Sequence, residues 1–304
     1  MARIFPQIEF SDQQLAKVAE KVRENERLVA HDGLTILNTL DLLALGKLAD
    51  WSKRSRSSDI VYFSTNKHVN YSNICKLKCS FCQFSRAKME PGAYEMSLDE
   101  IVQAIDPRVR EVHLVGGLHP DWPFEQYLEM LKTIKHERPT VSIKGFTAVE
   151  IVHFSEISGL PITEVLSRLR EAGLNALPGG GAEIFAPRVR KLLCPNKPSG
   201  EKWLEVHRTA HQMGIPSNAT MLYGHVETLE ERVVHLDALR ELQDQTRGFL
   251  CFVPLPFQKG KISSSASETS SSEPFPTDGE VGRRRQDGAF QADPCEDLKM
   301  IALS

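Results

Sequence analysis

Short apolar runs recur along the middle of the chain, several closing on Gly or Pro: "IVYFST", "EVHLVGG", "VSIKGFT", "LNALPGG", "IPSNATMLYG" and "GFLCFVPLPF". Continuous apolar runs of this length predict strands buried on both faces, as in a parallel sheet. Between them lie stretches of helical period. "FEQYLEMLKTIK" carries Phe124, Leu128, Leu131 and Ile134 on one side, and "ITEVLSRLREAG" does the same with Val165, Leu169 and Ala172 before the stop at Gly173. Ser97 with Glu100, and Thr228 with Glu231, have the spacing of capping boxes that open helices. Alternating strands and helices predict a partial (β/α)6 barrel, with ligand-binding loops at the carboxyl ends of the strands.

The N-terminal segment, residues 1–58, reads as helical. Ser11 with Gln14 predicts one helix through "DQQLAKVAEKVREN", and "TILNTLDLLALGKLADWSKR" a second. Residues 59–257 carry the barrel pattern. From Lys259 the chain turns rich in Ser, Gly, Pro and charge, which predicts disorder, and "CEDLKMIALS" then resumes a helical pattern. Residues 258–304 are therefore expected to form an anomalous tail with the remnant of a C-terminal element, leaving the last layer of the barrel incomplete. The stretch from Glu100 to Val112 is short for a barrel helix and is interrupted by Pro107.

Composition changes this picture little. In 304 residues, 41% are hydrophobic and 25% charged, with a formal net charge of -3, so there is no basic footprint for nucleic acid. No apolar run at the N-terminus has the length of a signal peptide or a membrane span, and a cytoplasmic location is the expectation.

The candidate chemistry sits in "HVNYSNICKLKCSFCQFSR", where Cys75, Cys79 and Cys82 follow one another as C-x3-C-x2-C. Soft thiolates suit iron-sulfur clusters or zinc. Three ligands leave one coordination position open, which marks a chemical rather than a structural centre. The alternative is a closed zinc site completed by His68, in a zinc-stabilised interaction module with no catalysis. Cys194, Cys251 and Cys295 read as ordinary thiols.

With Phe81 just before the last cysteine, this spacing resembles the radical S-adenosylmethionine (SAM) enzymes, and the β/α array is similar to their partial barrel. The resemblance implies a [4Fe-4S] cluster on Cys75, Cys79 and Cys82 with SAM on the free iron. It further implies SAM contacts from Phe81, Gly116, Gly117, Glu183 and Asn218. Many relatives carry a Gly-Gly-Glu segment where this chain has Gly116, Gly117 and Leu118. "NYSNIC", "IKGFTAVEI", "GEKWLEVHRTAH" and "NATMLYGHVETLEERV" are similar to the aminodeoxyfutalosine synthase family of menaquinone biosynthesis. That likeness implies addition of the adenosyl group of SAM to 3-[(1-carboxyvinyl)oxy]benzoate, and a reductant such as flavodoxin or ferredoxin. A sister family, the cyclic dehypoxanthine futalosine synthases, shares "GGLHP" and "GGGAEI". For a dianionic small-molecule substrate, Lys144 and His119 are the candidate carboxylate contacts, while His225 reads as a polar group satisfied in the interior and His113, inside a strand, as packing.

Overall fold

The computed structural model describes residues 5–258 and 294–303. The tail expected to be disordered, from Lys259 up to residue 293, lies outside the described residues.

Three helices open the chain: α1 (Gln13–Arg23), α2 (Ala30–Asn38) and α3 (Leu42–Ser57). Asp12, one residue after the expected Ser11, is the N-cap of α1; its carboxylate accepts from Gln14 N (2.9 Å) and Leu15 N (3.3 Å). A carboxylate is the stronger acceptor and also opposes the positive end of the helix dipole. The single helix expected over "TILNTLDLLALGKLADWSKR" is two. The break falls at Thr39–Asp41, where Thr39 Oγ1 donates to Asp12 and Asp41 caps α3 through Ala44 N. Side chains that bond nearby backbone compete with helix continuation at this point.

The sheet is parallel throughout. β1 (Asn66–Val69), β2 (Glu111–Leu114) and β3 (Ser142–Gly145) pair in that order, and β4 (Ser217–Tyr223) pairs with β5 (Phe249–Pro256). "LNALPGG" is not a full strand. It contributes two isolated parallel bridges, Lys144 to Ala176 and Leu177 to Ser217, and these join the two sheets. Six staves therefore line up in a row, the fourth reduced to single bridges, and among the described residues the row does not close into a barrel.

"IVYFST" departs further from expectation. Ile60, Val61, Tyr62 and Phe63 are 52–89% exposed, and the strand begins only at Asn66. Pairing starts where β2 starts, since Asn66 aligns with Glu111 and Thr65 O already accepts from Arg110 N and Glu111 N.

Helices α4 (Leu98–Gln103), α5 (Phe124–Glu137), α6 (Ala148–Ser158), α7 (Ile162–Glu171), α8 (Pro187–Leu193), α9 (Gly200–Gln212) and α10 (Leu229–Thr246) follow in chain order. The capping boxes at Ser97 and Thr228 form as expected, and α4 is only six residues long. On the helix side of the sheet Val112, Leu114 and Ile143 are fully buried with Tyr127, Leu131 and Leu169. Their alternating neighbours face the other way, as the period of a strand requires.

Residues 294–303 form α11 (Pro294–Leu303), which packs on α2, α3 and β5. Met300 is fully buried beside Leu37, Met221 and Val233, and Tyr223 OH donates to Asp297 (2.5 Å). The resumed helical pattern is thus a docked element.

Buried imidazoles pin α9 and α10 to β4. Ser217 Oγ lies 2.7 Å from His207 Nδ1 and 2.8 Å from His211 Nε2, while His235 Nε2 donates to Thr220 O (3.0 Å). Burial drives His207 well below its ordinary value, His211 to about 4 and His235 to about 3. An unfolded histidine takes its proton near pH 6.5, so below that value the unfolded chain binds protons that the native one refuses. Stability is therefore present above about pH 6.5 and falls as pH drops toward 4. Urea unfolding at stepped pH is expected to show this decline, and His211→Gln is expected to flatten it; an unchanged slope in that variant would contradict the assignment.

Candidate active site

The loop after β1 carries the three cysteines, and the loop after β2 holds it in place. Gly117 N donates to Ser72 O (2.8 Å) and Lys76 N to Leu118 O (3.0 Å), while within the cysteine loop Cys75 N donates to Arg86 O (3.0 Å). A Cβ on Gly117 would stand 2.2 Å from Ile74 O, and one on Gly116 would stand 2.4 Å from the ring of Tyr71. Only glycine allows so close an approach. Leu118 does not reach for a ligand; it packs with Leu77 and Val149 against Cys75 and Cys79.

One buried carboxylate organises this rim. Glu150, at the start of α6, is 1% exposed and accepts from Tyr71 OH (2.6 Å), Gly116 N (3.2 Å), Thr147 N (2.7 Å) and Thr147 Oγ1 (2.8 Å). Burial raises its pKa, and the four donors oppose that rise. Sequence reasoning passed over Glu150, although Thr147 and Glu150 have capping-box spacing; the box gave a local reason for the residue and hid its reach to two other loops.

Cys75, Cys79 and Cys82 are half-buried thiols in no disulfide. Burial is the main cause that pushes Cys79 up to about 11. Among the described residues, no set of three His, Cys, Asp or Glu converges closely enough for a single metal ion. The zinc knot with His68 is not assembled, and His68 instead lies edge-on to His113, ring centroids 4.6 Å apart. A cubane cluster binds each thiolate through a different iron, so three thiols spaced around one loop fit it without converging on a point.

Beside Cys79, Lys197 forms an ion pair with Glu183 (2.5 Å) and stands 5.1 Å over the ring of Phe81. Burial disfavours the ammonium, but the paired carboxylate of Glu183 outweighs it and raises Lys197 to about 12. Glu183 sits in the left-handed region (φ 46°), a strained choice for a residue with a side chain, and Leu222 N holds its carbonyl at 2.9 Å. Nothing in the local sequence pointed to Lys197.

The inner face of the sheet carries a polar row. His68, His113 and Lys144 are in register across β1, β2 and β3, opposite the buried apolar face. Glu111 binds both His113 Nε2 (2.6 Å) and Lys144 Nζ (3.2 Å). Cys251 on β5 lies within electrostatic reach of Lys144 and Glu111, so the two sheets curve around a common interior. His113 is thus part of an ionic group rather than packing. Asn218, on the same face of β4, has a buried Oδ1 with no hydrogen-bond partner among the described residues.

One expected contact is placed differently. His119 is 1% exposed, bonded to Glu95 (2.9 Å) and Asp121 N (3.2 Å), and stacked on Trp122, so both ring nitrogens are engaged within the protein. It orders the loop after β2 and leaves no nitrogen for a substrate. His225 donates to Leu222 O (2.8 Å) and pairs with the buried Glu227 (2.8 Å), as a satisfied interior group does.

The profile of the Radical SAM superfamily matches residues 69–239, which span the cysteine loop through most of α10. An aminodeoxyfutalosine synthase of Thermus thermophilus is 49% identical over 251 residues, 81% of this chain and 68% of that protein. One of Streptomyces coelicolor is 39% identical over 95% of this chain and 72% of that protein. A 5-amino-6-(D-ribitylamino)uracil–L-tyrosine 4-hydroxyphenyl transferase of Methanopyrus kandleri is 42% identical over 65% of this chain and 54% of that protein. Among solved structures, methylornithine synthase PylB has a TM-score of 0.59 at 21% identity, covering 74% of this chain and 64% of its own. The hydrogenase maturase HydG of Carboxydothermus hydrogenoformans scores 0.62 at 20% identity, covering 80% and 56%. These two share the fold. No helix among the described residues is long and apolar enough to cross a membrane.

The fit of Gly117 against the cysteine loop makes a sharp expectation. Gly117→Ala is expected to lose most of the iron held after anaerobic reconstitution while keeping its far-ultraviolet dichroism. Full iron content in that variant would show that the close approach is dispensable.

Proposed function

Because the chain belongs to the radical SAM superfamily, an enzyme family using a [4Fe-4S] cluster and SAM, we propose that it is an aminodeoxyfutalosine synthase. The 49% identity with the Thermus thermophilus synthase carries this reading. When bound, the cluster and SAM supply a 5′-deoxyadenosyl radical, which in this reaction adds to the enol-ether double bond of 3-[(1-carboxyvinyl)oxy]benzoate on the way to 6-amino-6-deoxyfutalosine. Flavodoxin or ferredoxin is the proposed class of electron donor.

The chain's own residues divide this work. Cys75, Cys79 and Cys82 hold three irons, and the backbone at Gly116 and Gly117 receives the amino acid part of SAM. Phe81 packs at the cluster loop. Glu183 accepts from the ribose hydroxyls, and Asn218 Oδ1 takes a donor from the nucleoside. On the inner face Lys144 meets a carboxylate of the second substrate, with Glu111 holding its ammonium in place.

The identity with 4-hydroxyphenyl transferases supports a second reading, in which the same interior accepts 5-amino-6-(D-ribitylamino)uracil and tyrosine. Anaerobic turnover with SAM, a reductant and each substrate in turn separates the two. Mass spectrometry is expected to find 6-amino-6-deoxyfutalosine with the enolpyruvyl benzoate; an adduct only with the uracil and tyrosine would replace the first reading, and one only with dehypoxanthine futalosine would place the chain with the sister synthases. Lys144→Met is expected to raise KM for the benzoate about ten- to a hundredfold, as loss of a charged hydrogen bond of about 1.5–3 kcal/mol does. An unchanged KM would remove Lys144 from the substrate site.

A further inference from the structure

The last residue of α8 and the segment that follows it are stitched to the cysteine loop by three hydrogen bonds. Leu193 O accepts from Ser80 N (3.3 Å) and Ser80 Oγ (3.0 Å), and Asn196 Nδ2 donates to Leu77 O (3.2 Å). Lys197 then places its ammonium between Glu183 and the ring of Phe81, with its side chain only 13% exposed. The buried Arg190 guanidinium fixes the other side, donating to Ala182 O (2.7 Å) and to the carbonyl of Pro198. A permanent cation is thus held, out of water, beside Cys79 and in contact with the carboxylate of the glycine-rich loop.

We infer that Lys197 is a positioning residue that raises the electron affinity of the loaded cluster and holds Glu183 for the nucleoside, without binding iron itself. It rests on the reading of Cys75, Cys79 and Cys82 as cluster ligands and is independent of the second substrate. In a water-poor site a neighbouring positive charge favours the form of the cluster that has taken up one electron from an external donor, and charges close to a centre tune it even when they are not ligands. Glu183 opposes that effect by pairing with the ammonium, so the two side chains act on the cluster with opposite sign. The ion pair also spares Glu183 a search among rotamers, since only one of its oxygens, Oε1, is recorded on the ammonium.

The test uses the full chain, reconstituted with iron and sulfide, with SAM as the sole ligand. Midpoint potentials come from redox titration followed by electron paramagnetic resonance, and SAM affinity from equilibrium binding. Lys197→Met is expected to move the midpoint to more negative potential and weaken SAM binding more than tenfold, and Lys197→Arg to restore both. Should the Met variant fail to load iron, Glu183→Gln still decides the matter: it is expected to move the midpoint to more positive potential while weakening SAM. A Met variant with full iron and an unchanged midpoint, or a Gln variant shifted negative or not at all, overturns the inference. Cleavage of SAM to 5′-deoxyadenosine by the wild-type chain certifies the cluster separately, so failure here speaks of Lys197 alone.

Discussion

Glu150 is almost wholly buried, and it takes hydrogen bonds from Tyr71 on the first loop, Gly116 on the second and Thr147 at the start of α6. A buried carboxylate left unpaired is costly, and this one is stable only while those loops converge on it. The cysteine loop inherits its position from that requirement: Tyr71 stands four residues before Cys75, and the glycines that let the second loop approach are those that fit against Tyr71 and Ile74. One interior carboxylate thereby couples the rim of two strands to the loop that holds the thiols.

The opposite half of the site is held by guanidinium groups. Arg190 ties the glycine-rich loop to the segment after α8, and Arg232 pairs with the fully buried Glu227, which also receives the amides of Gly224 and His225 at the end of β4. Burial opposes the charge on Glu227, yet His225 and Arg232 bring its pKa down to about 2, so the pair stays ionised at neutral pH. Both arginines brace loops at the carboxyl ends of strands, where a parallel β/α fold keeps its chemistry. α11 completes this base, with Glu296 and Asp297 reaching Arg232 and Tyr223.

Helices whose signals are local were legible from the chain. The period of α5, the glycine stop after α7, and the boxes at Ser97 and Thr228 all lie within one or two turns, and the structure has them where the pattern put them. Two readings failed for want of a partner. "IVYFST" has the composition of a strand but pairs with no strand among the described residues, and "LNALPGG" makes one isolated bridge on each side. Strand formation depends on an adjacent strand in register, and no property of a single segment reports that.

The cysteine triplet stood in the sequence complete, because three thiols within eight residues must share one loop wherever the fold sends it. The order of the β/α units was equally readable, since the period of side-chain burial is a local property. What held those thiols in place was decided in three dimensions. Glu150 and Lys197 drew no reading from the chain, and His119 read as a carboxylate contact; the first two were brought into buried ion-pair or hydrogen-bond networks and the third was absorbed once distant loops closed around them. Burial assigned each of these roles, for a charged or polar side chain taken from water must find its partner among residues that the chain brings near only by folding.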